Sequence, residues 1–568
     1  MRFSVLLGAV LGAFLLSISG SNASAANVLK RPAPVTRSAI HPGLLREFAL
    51  TALQHLKGPA QRPFLQLLKT LPPAKQVGVT ISTKATKNMQ CSEGTCTPTA
   101  AVAVLNVGQL TNMLVDQTVT ISTSAQAPDI FVNAPFSWTS ANGLTLQAIG
   151  SIVVNKPLSD SGPAPLSLIY DANGSGGTLY FGAKGHISFL STGNPLTING
   201  KGYILANNIQ LLAQLIARNP SGNFALAANY NAKHDGKYTQ SPIQTPFQGN
   251  LEGLGNFITG LHIESTMPGQ PIGLLQQIMP NAILENFRMR SVVIDGDSFL
   301  GGLAADNQGT LYNNSVDGQF TVAGDTGKDC DYSYAGELVG INEGTILSSS
   351  SSGRITGTQG CFVIGGLAGV NGNSFPGYIG TSYSTSEVSG TSDHDVDLAG
   401  LVGATGFGGT DSLIVTSYAT GNISLSGTGL ADIGGLVAFV LQGLVSQSSA
   451  SGAVSVAPTI SEAQAGGFTG GITGNIDRGT ATGAVSAGQN CYCGGFVGNA
   501  APVVISNSDS YGSVIAGPNS YLGGFVGYDH VAGDMSNDGW CTTSSGITDP
   551  SQGAGNIPND PGIAPFTC

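Results

Sequence analysis

From residue 77 onward, apolar and polar side chains alternate with a period of two, in short runs broken by Gly, Asn, Ser and Pro. VGVTIST, QTVTIST, DIFVNAPFSWTS, GLTLQAIGSIVVNKPL and GTLYFGAKGHISFL all follow this pattern. Such alternation predicts short strands with one buried face, separated by turns. Two stretches break the rule. In 43–70, Leu45, Phe48, Ala49, Ala52 and Leu56 recur at steps of three and four, and Leu53 widens the stripe. This predicts a helix broken at Gly58-Pro59, resumed in RPFLQLLKTL and stopped before Pro72-Pro73. The run ILANNIQLLAQLIARN (204–219) predicts a helical insertion.

Between Gly301 and Gly527 one phrase recurs eight times: GGLAA, GELVG, GGLAG, AGLVG, GGLVA, GGFTG, GGFVG and GGFVG. Successive copies start 35, 29, 34, 35, 32, 28 and 29 residues apart. A period of this size marks stacked repeats, each unable to bury its apolar face alone. Strand-length segments around every copy predict an all-β fold, a parallel β-helix in which Leu, Val, Ile and Phe stack inward. Propeller blades run to about 40–45 residues, longer than this spacing. The open end coils need covers. The basic helical leader (26–76) and a Gly/Pro-rich tail (531–568) are expected to supply them.

AGLVGATGFGG…TSYATGNISLSG (399–427) resembles the GLUG repeat of bacterial surface and secreted proteins. LNVGQLTNMLVDQTVTIST and DIFVNAPFSWTSANGLTLQAIGSIVVN (105–155) are similar to the passenger region of filamentous haemagglutinin-like adhesins. The resemblance implies a right-handed parallel β-helix with a role in adhesion or surface structure. It divides the body into a haemagglutinin-like strand region (77–265) and a GLUG-like array (266–530). The NPNL- and NPNG-like motifs of two-partner-secreted members are absent from the sequence.

Composition adds the compartment. Arg2, an apolar run over 5–18 and Ala23-Ser24-Ala25 read as a signal peptide (1–25) cleaved near Ala26. Export makes the eight cysteines disulfide candidates. Cys91 and Cys96 close a local loop. Cys330 and Cys361 precede successive repeat phrases by six and four residues, so they are expected on neighbouring coils. Cys541 and Cys568 are expected to tie down the tail. Cys491 and Cys493 sit two apart on one strand, where side chains share a face but do not easily bridge. From residue 77 onward thirteen bases face thirty-two acids. A body this negative argues against nucleic acid as a partner. The leader 26–76 is the reverse, with eight bases and one acid. Its amphipathic 43–70 stretch is the one segment suited to lie on an anionic membrane, with a helical cap or leader as the favoured reading.

Chemistry is sparse. Asp393-His394-Asp395-Val396-Asp397 is the densest acidic group. Strand alternation would put its three Asp on one face, but a solvated turn before a repeat phrase is the favoured reading, as it is for Asp329 and Asp331. After Arg290 only Lys328, Arg354 and Arg478 are basic, too few for a lyase acting on acidic sugars. His186, His234 and His262 carry no pattern, and no catalytic, cofactor or metal site is expected. Tyr383, Tyr418 and Tyr511 recur at similar points after their phrases. Outward they are candidate sugar-binding residues, inward they are packing, and packing is favoured. The sequence therefore reads as a secreted or cell-surface, adhesin-like binding or structural protein, with glycans or a cell surface as candidate partners. The alternative is a carbohydrate-active β-helix enzyme, which would need a groove with at least two convergent carboxylates. A third reading is an acidic envelope scaffold without a specific ligand.

Overall fold

A computed structural model describes residues 42–70, 77–174, 176–265, 267–327, 330–460 and 462–568. The expected signal peptide, residues 26–41 and 71–76 of the leader (with the Pro72-Pro73 stop), Lys328 and Asp329 lie outside them. The chain is all-β, a parallel β-solenoid with a short N-terminal helical segment. Among the described residues no helix is long and apolar enough to cross a membrane.

The solenoid has two stacks. In the first, Gly78–Ser82, Asp129–Val132, Ile152–Val154 and Leu179–Phe181 pair in parallel register. Alternate residues such as Val79, Ile130, Val132, Ile152 and Phe181 fill one core. The helix Val107–Asp116 packs Leu110 and Leu114 into that core. Asn106 caps it by accepting the Gln109 N–H at 3.1 Å. Apolar residues at 107, 110 and 114 carry the helical period that a reading as strands passes over.

Leu196–Ile198 then pairs antiparallel with Lys201–Ala206 through a two-residue turn at Asn199-Gly200. Their φ values of 47° and 76° are the left-handed pair of a type I′ hairpin. The hairpin reverses the chain, and Lys201–Ala206 pairs in parallel with Asn223–Leu226 to begin the second stack. The helix Ile209–Arg218 buries Ile209, Leu212 and Ile216 against the start of this second core. It begins later than the expected 204–219 because 201–206 is needed as a strand. Arg288 fastens the stacks together, donating to the carbonyls of Phe181 (2.6 Å) and Gly182 (2.9 Å).

Each coil that carries the Gly phrase has a pre-glycine strand, the Gly phrase as a bend, a post-glycine strand, a back strand such as Thr345–Leu347 and a flank strand such as Ser350–Thr358. Among the described residues the pre-glycine ladder has eight strands, from Phe299–Gly301 to Tyr521–Gly523. The post-glycine ladder has nine, from Leu275–Ile278 to Val526–Asp529. The third residue of every phrase (Leu303, Leu338, Leu367, Leu401, Leu436, Phe468, Phe496, Phe525) is buried in one continuous core. Phe468, Phe496 and Phe525 stack at 4.5 and 4.7 Å. The second residue is glycine because a Cβ on Gly435 would lie 2.1 Å from the Gly467 carbonyl oxygen. Glu337 is the exception, a fully buried carboxyl beside the Ser386 hydroxyl that burial holds well above the usual range. Asn307, Asn342 and Asn371 are also fully buried and form an amide ladder, each Nδ2 donating to the next Oδ1 at 2.7 Å.

The end covers differ from expectation. The helices 107–116 and 209–218 cover the starts of the two cores. The tail covers the last coil through Trp540 and Ala554. The leader helices Pro42–His55 and Arg62–Thr70 cover neither end; they lie on the flank ladder, where Phe48, Ala52, Leu56 and Phe64 pack on Tyr418 and Tyr383. The cysteines pair as Cys91–Cys96, Cys330–Cys361, Cys541–Cys568 and Cys491–Cys493. The last pair, left open by the sequence, bridges across two positions of one strand. Their Cα atoms are 5.4 Å apart, and they register with Ala463 and Ala465, whose small side chains leave room in the core row.

Candidate functional site

The three candidate tyrosines do not form a solvent-facing row. Tyr418 is fully buried. Its ring lies parallel to that of Tyr383 at 4.8 Å, edge-on to Phe64 at 5.3 Å, and its hydroxyl meets His55 Nδ1 at 2.9 Å. Burial lowers the His55 pKa. Tyr511 is buried under Arg62, whose guanidinium carbon sits 5.3 Å from the ring centre. The leader thus spends its apolar face on the tyrosines. Beside it, a cleft of about 410 Å³ opens between Phe48, Phe181 and the flank ladder. There Arg290 stacks over Phe257 at 3.4 Å, and burial lowers its pKa.

A different row brings acids and rings together outside the main core. On the outer side of the pre-glycine ladder, strand register places Phe299, Tyr334, Val363, Asp397, Asp432, Gln464, Tyr492 and Tyr521 one above another. The outer side of the post-glycine ladder carries Asp306, Ile341, Val370, Ala404, Phe439, Gly471, Asn499 and Tyr528. The Gly bend folds these outer sides toward each other. Val363, Val370 and Ala404 consequently bury one another outside the main core, with Tyr334 and Phe407 against them. Tyr492 from one wall meets Tyr528 from the other at 5.1 Å. The result is a trough with aromatic ends and acids at its middle.

Asp397 and Asp432 occupy register positions on adjacent coils, which places their Cα atoms about 4.8 Å apart. Burial, then the charge of Asp395, pushes Asp397 up to about 7. Burial, then Asp397, Asp395 and Glu462, holds Asp432 well above the carboxylate range. Tyr334 is pushed up to about 12 by burial, then by Asp397 and Asp331. Among the described residues, Asp432 Oδ1 and Gln464 Oε1 are buried without a hydrogen-bond partner. Near neutrality such a row offers a carboxyl donor, carboxylate and amide acceptors, and rings for stacking.

The solvated-turn reading of 393–397 holds for Asp393, an exposed residue paired with His394 at 2.7 Å. It fails for Asp397, which belongs to the strand Val396–Ala399 and turns into the trough. His262 also gains a setting. Among the described residues it forms, with Glu264 and Asp295, the one His/Cys/Asp/Glu group whose three ligand atoms lie within 4.8 Å of one another. The signal was the H-x-E spacing, which puts both side chains on one strand face. Asp295 comes from the next coil, in register with Glu264. Lys237 already pairs with Glu264.

No family model matches the chain, and no curated protein matches it. Among solved structures it is similar to a chain titled IgA1 Protease, with a TM-score of 0.32 and 19% identity over 48% of this chain. The match spans 21% of that longer protein.

Proposed function

We propose that this protein is an exported β-solenoid that binds glycan chains along the trough without cleaving them. The observation that carries the reading is the aromatic–acidic–aromatic row Tyr334–Val363–Asp397–Asp432–Gln464–Tyr492 on adjacent coils. Successive sugars need flat apolar faces to stack on and acceptors for their hydroxyls, and a solenoid repeats both along one direction. The pairing of all eight cysteines supports an oxidising compartment. The acidic body favours neutral over acidic glycans, and the Gly phrase supports a kinship with GLUG-repeat, adhesin-like surface proteins. A glycan array probed with the full chain is the test. Binding of a neutral oligosaccharide, reduced at least tenfold by Tyr492→Ala with the fold intact, is expected. An array without hits, or hits indifferent to Tyr492→Ala, refutes the reading.

One observation favours a second reading, hydrolysis of a neutral glycan. Register sets the Asp397 and Asp432 Cα atoms about 4.8 Å apart, and retaining glycosidases use two neighbouring carboxyls about 5–5.5 Å apart, one protonating the leaving oxygen and the other attacking the sugar. Asp397 and Asp432 have that stacking, and one stays protonated near neutrality. Release of reducing ends that Asp432→Asn abolishes would replace binding with catalysis.

A further inference from the structure

Near its start, the flank ladder of the second stack carries a polar group that later coils do not repeat. The strand His262–Glu264 pairs in parallel with Arg288–Asp297 of the next coil. Ile263 and Ile294 are fully buried in the core. Alternation therefore turns His262, Glu264 and Asp295 outward. Register sets Glu264 beside Asp295, and His262 beside Val293. Further along, the Glu264–Asp295 row continues with Thr321, Thr356 and Ser389. The carboxyls of that row are confined to two adjacent coils.

Backbone bonds hold both strands in place. The Tyr238 N–H donates to the His262 carbonyl at 3.0 Å, and the Glu264 N–H to the Tyr238 carbonyl at 2.9 Å. Across the other edge, the Val293 N–H donates to the Leu261 carbonyl and the Ser265 N–H to the Asp295 carbonyl, both at 2.9 Å. On this frame the three side chains are half-buried. One imidazole nitrogen and two carboxylate oxygens all lie within 4.8 Å of one another. Donors around one tetrahedral ion stand about 3.3 Å apart when each bond is about 2.0 Å, so small side-chain rotations bring the three onto one centre. Lys237 reaches Glu264 from the preceding coil, but its side chain is 48% exposed. An ion pair so exposed holds weakly, and a divalent ion can displace it. Among the described residues no ion pair reaches Asp295.

We propose that His262, Glu264 and Asp295 form a zinc site that ties two adjacent coils of the flank ladder together. Zinc takes imidazole nitrogen and carboxylate oxygen alike. Calcium and magnesium call for six or more ligands, all oxygen, which this set does not supply. Without a thiolate the set also disfavours copper(I). Two carboxylates balance the charge of the ion once Lys237 has swung away. Three protein ligands leave the fourth position to a water or to a donor from a bound partner. The site lies on the flank ladder and the trough on the two ladders beside the Gly bend, so either can fail alone.

The test is zinc titration of the full, disulfide-intact chain by calorimetry, with thermal unfolding in zinc and in EDTA. One ion per chain is expected, with a midpoint raised by zinc. Cobalt(II) in its place should give the visible absorption of a four-coordinate ion. His262→Ala and Asp295→Asn should each weaken binding about tenfold or more, since even changes to the partners of metal ligands cost about 10–100-fold. Lys237→Gln removes the competitor and should tighten binding. His394→Ala alters a His–Asp pair that has no third ligand among the described residues, and should leave binding unchanged. Asp295→Asn preserves the size of the side chain, so it reports even where His262→Ala disturbs the strand. Absence of stoichiometric binding overturns the proposal. So does binding that survives both His262→Ala and Asp295→Asn, the behaviour of scattered surface acids. Binding that Lys237→Gln weakens overturns it as well.

Discussion

Replacing Phe64 with alanine is expected to free the leader hairpin while leaving the solenoid folded. Phe64 is fully buried, and its ring touches Phe48 at 5.8 Å and Tyr418 at 5.3 Å, both edge-on. Truncating a buried Phe costs about 3–5 kcal/mol, of which each edge-on ring pair accounts for about 0.5–1.5. The loss falls on the docking of 42–70, because the Phe64 cluster contains leader residues plus Tyr418 and Tyr383 and no residue of the main core. The remaining polar ties are few. Ser449 Oγ donates to the Ala60 carbonyl at 3.0 Å, His55 meets Tyr418, and Arg62 pairs with Asp509 at 3.2 Å. Arg62 is exposed, so that pair is worth about 1 kcal/mol or less. A loss of about 4 kcal/mol raises the opening equilibrium roughly 10³-fold, at 1.4 kcal/mol per decade. Amide hydrogen exchange of the full chain reads this directly. Protection of Ala49, Ala52 and Leu56 should drop toward the unfolded limit, while Ile346 and Ile379 in the back ladder stay as in the wild type. Unchanged protection over 42–70, or joint loss of protection in the leader and the back ladder, would refute the reasoning.

Asn342→Ala removes both 2.7 Å links of the amide ladder and strands a donor of Asn307 and an acceptor of Asn371 in the core. Unpaired buried groups cost about 1–3 kcal/mol each. A loss of about 2–4 kcal/mol is expected in denaturant unfolding, and a change below about 0.5 would contradict the ladder's role. Stability should also depend on pH through the trough. Asp397 titrates at about 7 in the folded chain against 3.8 unfolded, so the folded state binds more protons between those values. Its contribution is then fully present below pH 4 and lost as pH rises to about 7. Asp432 is shifted the same way, and Asp432→Asn should make the decline measurably shallower in midpoints taken from pH 4 to 8. A variant profile that superimposes on the wild type would sink the assignment.

The bend phrase made the second stack readable because its glycines and its Leu or Phe answer to contacts that recur in every coil. The offset of Cys330 and Cys361 from that phrase identified their pairing for the same reason. The reversal at Asn199-Gly200 was also legible, since Asn-Gly between strands signals a type I′ turn, yet a reading tuned to one continuous helix runs through it. The covers were harder. Amphipathic periodicity says that 43–70 and 209–218 each have an apolar face, not which surface receives it, and only the second caps a stack. The trough was hidden for a geometric reason. Alternation assigns Asp397 and Val363 to the outside of their strands, but the angle at the Gly bend decides whether an outer row meets bulk water or another wall. Glu337, in a glycine position, breaks the repeat at one coil, and nothing in the period announces that its carboxyl is buried.

A stacked fold compounds whatever sits in a row. One acid on an isolated strand is solvated, whereas acids in register on adjacent coils are held at the strand spacing and each raises the pKa of the next, as Asp397 does for Asp432. The same logic applies where the tail brings Asp560 against Asp529. With three bases after Arg290, the array has little internal means of neutralising such pairs, so each must take a proton or an external partner. What distinguishes the two places is access. The residues Asp397 and Asp432 in the trough are half-buried and lie in a row with rings toward both ends, the setting proposed above for hydroxyl-bearing chains. Asp529 and Asp560 are closed over by the tail, and burial with the neighbouring carboxyl holds Asp529 protonated up to about 8. Both places therefore follow from one property, acids brought together without a basic partner, and differ in whether the bend or the tail surrounds them.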